Sequence, residues 1–116
     1  MGSVSAEFKR FMDDSSKAWL DRKWKNKIAG GFTNSGAMSG DKQGVLIQLA
    51  IFASQHSMVW VGAEYDSGND RFGSGLGAMA QSANAPAGEG NPPKEDLIRA
   101  ESYGKRIAEI AERFKR

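Results

Sequence analysis

The chain has 116 residues, 40% of them hydrophobic and 26% charged, and a net charge of +2. That is one domain by length with an ordinary globular composition, and so mild a positive balance admits an anionic ligand without announcing a nucleic-acid binder. With no cysteine and one histidine, His56, the chain excludes a disulfide framework, a thiolate nucleophile, a cysteine-based zinc site and a histidine cage.

The N-terminus lacks the charged-then-apolar pattern of a secretory signal. Met1 and Gly2 resemble a myristoylation start, but Ala6 stands where a hydroxyl residue is needed. The longest apolar stretch, residues 45–53, is interrupted by Gln48 and is too short to cross a bilayer. A cytoplasmic protein with no membrane span is therefore expected.

The first element is an amphipathic helix over about residues 6–21. Val4, Phe8, Phe11, Met12 and Trp19 fall at helical spacing, and Ser5 is a fair N-cap. The charged connection "DRKWKNK" follows. "IAGGFT", residues 28–33, predicts a strand buried on both faces, where glycine lets a helix come close. Asp41 is placed to cap a second, deeply packed helix through "QGVLIQLAIFASQHS", and "MVWVG", residues 58–62, predicts a second buried strand. Residues 63–93 are rich in Gly, Ala, Ser and Asn and show no periodicity, which marks a functional or mobile connection. A last helix starts near Pro93 with Glu95 and Asp96 in its first turn, and ends with Arg113, Lys115 and Arg116. Leu97, Ala100, Gly104, Ile107, Ala111 and Phe114 form its expected buried stripe.

Alternating helices and apolar strands predict an α/β fold with parallel pairing. Two strands are too few for a self-sufficient sheet, and three amphipathic helices offer more apolar surface than two strands cover.

Ligands of open parallel sheets sit outside the carboxyl ends of the strands. The stretch "GGFTNSGAMSGDKQG", residues 30–44, lies there, yet it is no phosphate loop. Gly36 and Gly40 stand too close together, Asp41 and Lys42 follow, and an Asp at a helix entrance repels phosphate. A plain turn and the wall of a site for a planar polar ligand both remain open. His56 ends an apolar helix, where the helix dipole stabilises a histidine, and no acid or base partner for it is identifiable. Trp19, Trp24 and Trp60 are candidates for an aromatic ligand's site or for core and interface, with Trp60 core. "RKWKNK" mixes cations with an aromatic as single-strand binders do, but it is a single patch and is expected to be a solvated turn.

"MGSVSAEFKRFMDDSSKAW", "WKNKIAGGFTNSGAMSGDKQ" and "QLAIFASQHSMVWVG", in this order and spacing, resemble consecutive stretches of the flavodoxin-like FMN-dependent NAD(P)H:quinone oxidoreductases. That family includes the tryptophan-repressor-binding flavoproteins and related NADPH-dependent FMN reductases. The resemblance covers essentially the whole chain and implies a partial flavodoxin-like fold, the C-terminal portion of one domain. Residues 1–116 would supply the last two parallel strands and last three helices of a 2-1-3-4-5 sheet, in the order helix, strand, helix, strand, helix. The loop that grips the FMN phosphate would lie outside it.

By resemblance, Met1, Gly2 and Ser3 match the loop that wraps the flavin ring, and Thr33, Asn34, Ser35 and Gly36 match the loop that meets its polar edge. His56 matches a catalytic-site histidine near the flavin, often across a subunit interface, and Trp19 a tryptophan that closes a neighbouring subunit's pocket. The implied chemistry is hydride transfer from NAD(P)H through FMN to a quinone or a flavin. Without the phosphate loop the isolated chain is expected to bind FMN weakly or not at all and to be inactive. The alternative is a non-catalytic α/β module acting through self-association. In either case strand 28–33 should have an unpaired edge, favouring a two-fold homodimer or larger assembly joined there or by exchanged helices.

Overall fold

The computed structural model describes residues 1–65, 68 and 70–115. Its elements in chain order are α1 (Ala6–Asp14), α2 (Ser16–Leu20), β1 (Ile28–Ala29), β2 (Phe32–Ser35), α3 (Lys42–Gln55), β3 (Val59–Trp60), β4 (Ala78–Gln81) and α4 (Lys94–Arg113). β1 pairs with β3 and β2 with β4, both in parallel. Among the described residues no helix is long and apolar enough to cross a membrane.

The expected strand 28–33 is in fact a longer ribbon that changes partner halfway, and it is not buried on both faces, since Gly30 and Phe32 are exposed. Lys27 and Ala29 carbonyls accept from Val59 and Val61 N–H, and Gly31 and Ser35 carbonyls accept from Ala78 and Ser82 N–H. Every acceptor is odd-numbered, so one alternation runs unbroken from β1 into β2. At the handover a ladder bond from Gly31 to Val61 is replaced by the Tyr103 hydroxyl. It accepts from Gly31 N at 3.3 Å and donates to the Val61 carbonyl at 2.5 Å. Burial pushes this phenol up against the opposing influence of the Gly31 N–H, Arg106 and Arg99.

The two central glycines show how the layers lie. A Cβ at Gly30 would stand 2.5 Å from the Tyr103 hydroxyl and from Ile107 Cδ1, on α4; one at Gly31 would stand 2.8 Å from Leu49, on α3. Successive strand residues point to opposite faces, so α4 covers one face and α3 the other. Glycine is needed at both positions because each helix comes within side-chain contact of the strand backbone.

The connection 63–93 is not structureless, since it holds β4. "AMAQ" has weak strand propensity, and the pairing is made by fit instead: Ala78 and Met79 are buried, and a Cβ at the preceding Gly77 would collide with the Gly31 carbonyl. The first helix is also divided. Ser5 caps α1 as expected, accepting from Phe8 N, but Ser15 donates its hydroxyl to the Met12 carbonyl at 2.6 Å and a separate turn, α2, follows. Asp41 stands at the start of α3 in a left-handed conformation and its side chain makes no cap bond. Nor is α3 deeply packed, since Ile47 and Ile51 are exposed.

The largest correction concerns α4. Its buried positions are Asp96, Arg99 and Tyr103, while Leu97 is 51% exposed and Ala100, Gly104 and Phe114 also face solvent; Ile107 and Ala111 are half-buried. The inner face is polar because the loops against it present carbonyls. Arg99 donates to the Glu64 and Ser74 carbonyls and pairs with Asp70 at 3.1 Å, and Arg106 donates to the Gly62 carbonyl at 3.0 Å. Arg71 from the same connection grips Asp96 with two hydrogen bonds, 2.8 and 2.7 Å. Arg113 lies in the last turn and Lys115 pairs with Glu112; the expected contribution of Arg116 falls outside the described residues.

Candidate functional site

Because the odd residues of the ribbon bond to β3 and β4, the backbone groups of Ile28, Gly30, Phe32 and Asn34 face the other edge, which no strand covers among the described residues. An open cleft of about 740 Å³ runs along that edge. Residues 29–34 form its floor, Phe8 and Phe11 of α1 one wall, and Val45, Leu49 and Phe52 of α3 another. Met1 and Ser3 stand at its rim, and no charged side chain lines it.

Thr33, Asn34 and Ser35, expected in a loop, are the last residues of β2, and Gly36 opens the loop itself. Met1, Ser3, Thr33 and Asn34 share the cleft; Gly2 lies near Asp41, and a Cβ on it would stand 3.9 Å from Asp41 Oδ2. Ser35 turns away into the loop, accepting from Lys42 and donating to the Ala37 carbonyl at 2.8 Å. The Gly36 carbonyl accepts from Gln81 Nε2 at 3.1 Å, and Asn34 Oδ1 accepts from the Ser82 hydroxyl at 3.1 Å.

Lys42, unremarkable in the sequence, organises this loop. It is 1% exposed, and its ammonium donates to Ser35 Oγ at 2.7 Å, the Ala37 carbonyl at 2.9 Å and the Met38 carbonyl at 2.8 Å. Burial, and then the nearby Arg71, hold this lysine below its usual range against the pull of Asp96. Lys42 and Arg71 each lie 4.5 Å from the Phe72 ring centre. The carbonyls of residues 36–38 are engaged by Gln81 and Lys42, whereas the backbone N–H groups of residues 36–41 and the Gly40 carbonyl meet no partner among the described residues. The unengaged backbone groups of this loop are thus mostly hydrogen-bond donors.

His56 and Trp19 are elsewhere. Both line a smaller pocket of about 400 Å³ with Arg22 and Lys25, at the carboxyl end of α3 and hence at the opposite end of the sheet from residues 35–41. His56 is 5% exposed. Ser15 gives its proton to Met12, so the 2.8 Å bond between Ser15 Oγ and His56 Nε2 is donated by the imidazole; Nδ1 is buried with no partner. The ring lies 4.2 Å from that of Trp24 and 5.0 Å from that of Phe52. Trp24 also stacks on Phe11, which withdraws the aromatic of "RKWKNK" from any role in base stacking. Trp60 is half-buried, with its indole N–H on the Leu76 carbonyl at 3.1 Å.

The chain resembles known proteins over nearly its full length. It is 36% identical to flavodoxin FldP of Pseudomonas aeruginosa, over 98% of this chain and 66% of that protein. It is 31% identical to an NAD(P)H dehydrogenase (quinone) of Archaeoglobus fulgidus, over 97% of this chain and 55% of that protein. A solved flavodoxin, WrbA-like protein from Agrobacterium tumefaciens superposes with a TM-score of 0.78 at 37% identity, over 99% of this chain and 62% of that one. No family model matches the chain. Parallel strands covered by helices on both faces are the architecture of the flavodoxin-like class, and the chain belongs to that class. It spans between 55% and 66% of the length of these curated relatives.

The residues at the carboxyl end of β2 fit the polar edge of an FMN ring: Thr33 and Asn34 are uncharged, and the loop that follows them carries unengaged backbone donors. The FMN phosphate finds no charged side chain among the cleft's lining residues.

Proposed function

We propose that this chain carries the ring-binding part of an FMN-dependent oxidoreductase that takes hydride from NAD(P)H and delivers it to a quinone or a flavin. What supports this most is the loop 36–41, whose unengaged N–H groups suit the oxygen-bearing edge of a flavin. When bound, FMN supplies the redox chemistry; the protein orients and shields it. Thr33, Asn34 and the residues 36–41 would hold the polar edge, and Met1, Gly2 and Ser3 the rim. Ser35 and Gly36 act through the loop's own bonding. His56 and Trp19, at the far end of the sheet, would serve a ring held by a second copy. A homo-oligomer in the cytoplasm is part of this reading.

Among the described residues no charged side chain lines the cleft to hold the phosphate, so the isolated chain should show negligible NAD(P)H oxidation with benzoquinone. Charge-assisted hydrogen bonds contribute about 1.5–3 kcal/mol each, so a phosphate held by two would separate FMN from lumiflavin by roughly a hundredfold or more. Fluorescence titration should instead show lumiflavin, riboflavin and FMN binding with similar, weak affinity. Strong discrimination for FMN, or robust turnover, would overturn the account of the phosphate. No binding of any of the three would leave the second reading, a non-catalytic self-associating module. That reading is favoured by the exposed apolar residues of α4 and of the ribbon.

A further inference from the structure

We propose that Lys42 is the positioning residue of the flavin-side loop, a buried ammonium that turns the loop's acceptors inward and leaves its outer face to bind the carbonyl oxygens of a planar imide. This rests on the ring-binding reading above, and adds to it the residue that makes the loop selective for an oxygen-bearing, electron-rich edge.

A lysine ammonium has three donors and no acceptor. Here all three are used, on Ser35 Oγ and on the Ala37 and Met38 carbonyls. An exposed lysine would lose side-chain entropy for such an arrangement, whereas a buried one must make it, because an unsatisfied buried cation is far more costly. Three charge-assisted bonds converging on one point therefore determine the path of residues 35–38. Ser35 cannot escape, since its hydroxyl also donates to Ala37, and Gly40 packs against it so closely that a Cβ there would overlap Ser35 Oγ.

The polarity of the loop follows. A free carbonyl would repel the oxygens of an imide, and the carbonyls of residues 37 and 38 are engaged by the buried Lys42 while that of residue 36 accepts from Gln81. The Gly40 carbonyl apart, the unengaged backbone groups of residues 36–41 are N–H donors. The ammonium lies near them and favours negative charge there, while Arg71 and Asp96, joined by two hydrogen bonds, largely cancel one another. The exposed carboxylate of Asp41 opposes the ammonium from the loop's end.

The test pairs Lys42→Met, which keeps the length and removes charge and donors, with Lys42→Arg, which restores charge and donors. Lumiflavin is the probe, because it carries the imide without a phosphate. In Lys42→Met, lumiflavin affinity should fall about tenfold, with recovery in Lys42→Arg, since a loop displaced by about an ångström loses its aligned contacts. Amide exchange of Ser82 and Val45, whose N–H groups bond to the Ser35 and Asp41 carbonyls at the two ends of the loop, should rise about tenfold in the unliganded protein while that of Val59 and Val61 stays unchanged. Equal lumiflavin affinity and equal exchange in wild type and Lys42→Met would overturn the proposal, as would a uniform rise in exchange across the fold, which would reduce Lys42 to a general stabiliser. A wild-type chain that does not bind lumiflavin would instead remove the ring-binding reading, and with it the ligand part of this inference.

Discussion

The Tyr103 hydroxyl stands where two strands would otherwise bond directly, and Gly30 is the residue whose missing Cβ lets it in. Replacing Tyr103 with Phe leaves a buried N–H and a buried carbonyl without partners, which should destabilise the fold by about 1–3 kcal/mol in urea unfolding. Gly30→Ala should also destabilise, because its methyl group would overlap the hydroxyl. Part of that overlap disappears once the hydroxyl is gone, so the double variant should lose less than the two single losses together. Strict additivity would mean that Ile107 alone opposes the methyl. None of this was visible in sequence: a tyrosine at position 103 looks like an ordinary helix residue, and Lys42 looks like a solvated one. The glycines were the legible part, since paired glycines in an apolar strand announce a close approach without saying what approaches.

At the scale of elements, helix periodicity was legible and its orientation was not. The α4 pattern repeats correctly, but the face turned inward is the one with Asp96, Arg99 and Tyr103, because unpaired carbonyls of residues 61–74 require donors. Propensity also hid β4, which begins just after Gly77, where the Gly31 carbonyl and Leu46 leave no room for a side chain. Asp96 gives this packing a pH dependence. Its burial would raise the carboxyl's pKa, but the Arg71 bonds, the Gln81 N–H and the charges of Arg71 and Lys42 outweigh that, and the net shift is downward. A depressed folded value means that the contribution is fully present above the unfolded value of about 3.9 and is lost as pH falls through the folded one. Urea midpoints measured from about pH 6 down to about pH 3 should therefore decline at the acid end, and Asp96→Asn should flatten that decline while lowering the plateau. An acid limb as steep in Asp96→Asn as in wild type would assign it to other carboxylates.

For the whole molecule, surface area decides the expectation. A folded monomer of 12.6 kDa exposes about 6,200 Å², and this chain exposes 7902 Å². The excess is about twice the roughly 800 Å² that each partner contributes to a standard interface. The radius of gyration, 15.0 Å, likewise exceeds the roughly 13 Å of a compact chain of this length. Light scattering should accordingly find a dimer or larger species at micromolar concentration, with a melting temperature that rises with concentration. Phe32, 79% exposed on the unpaired edge, is the residue to change: Phe32→Lys should shift the population toward monomer without lowering the monomer's own stability. A wild-type chain that stays monomeric would refute the assembly, and a Phe32→Lys dimer as stable as wild type would place the interface away from this edge.

Composition and hydrophobic period, acting locally along the chain, were enough to determine the class of fold, the existence of the helices, the strand through Gly30 and Gly31 with helices close against it, and the absence of thiol chemistry. Matching stretches in order identified the family. Tertiary structure alone decided which partner each half of the ribbon takes, which face of α4 is buried, that Lys42 lies under the loop, and that His56 and Trp19 lie at the far end of the sheet from Thr33 and Asn34. The reason is that these outcomes depend on backbone donors and acceptors from distant segments, and every residue carries the same donor and acceptor whatever its side chain. The pattern of side chains cannot say which of them will be left for a tyrosine, an arginine or a lysine to satisfy.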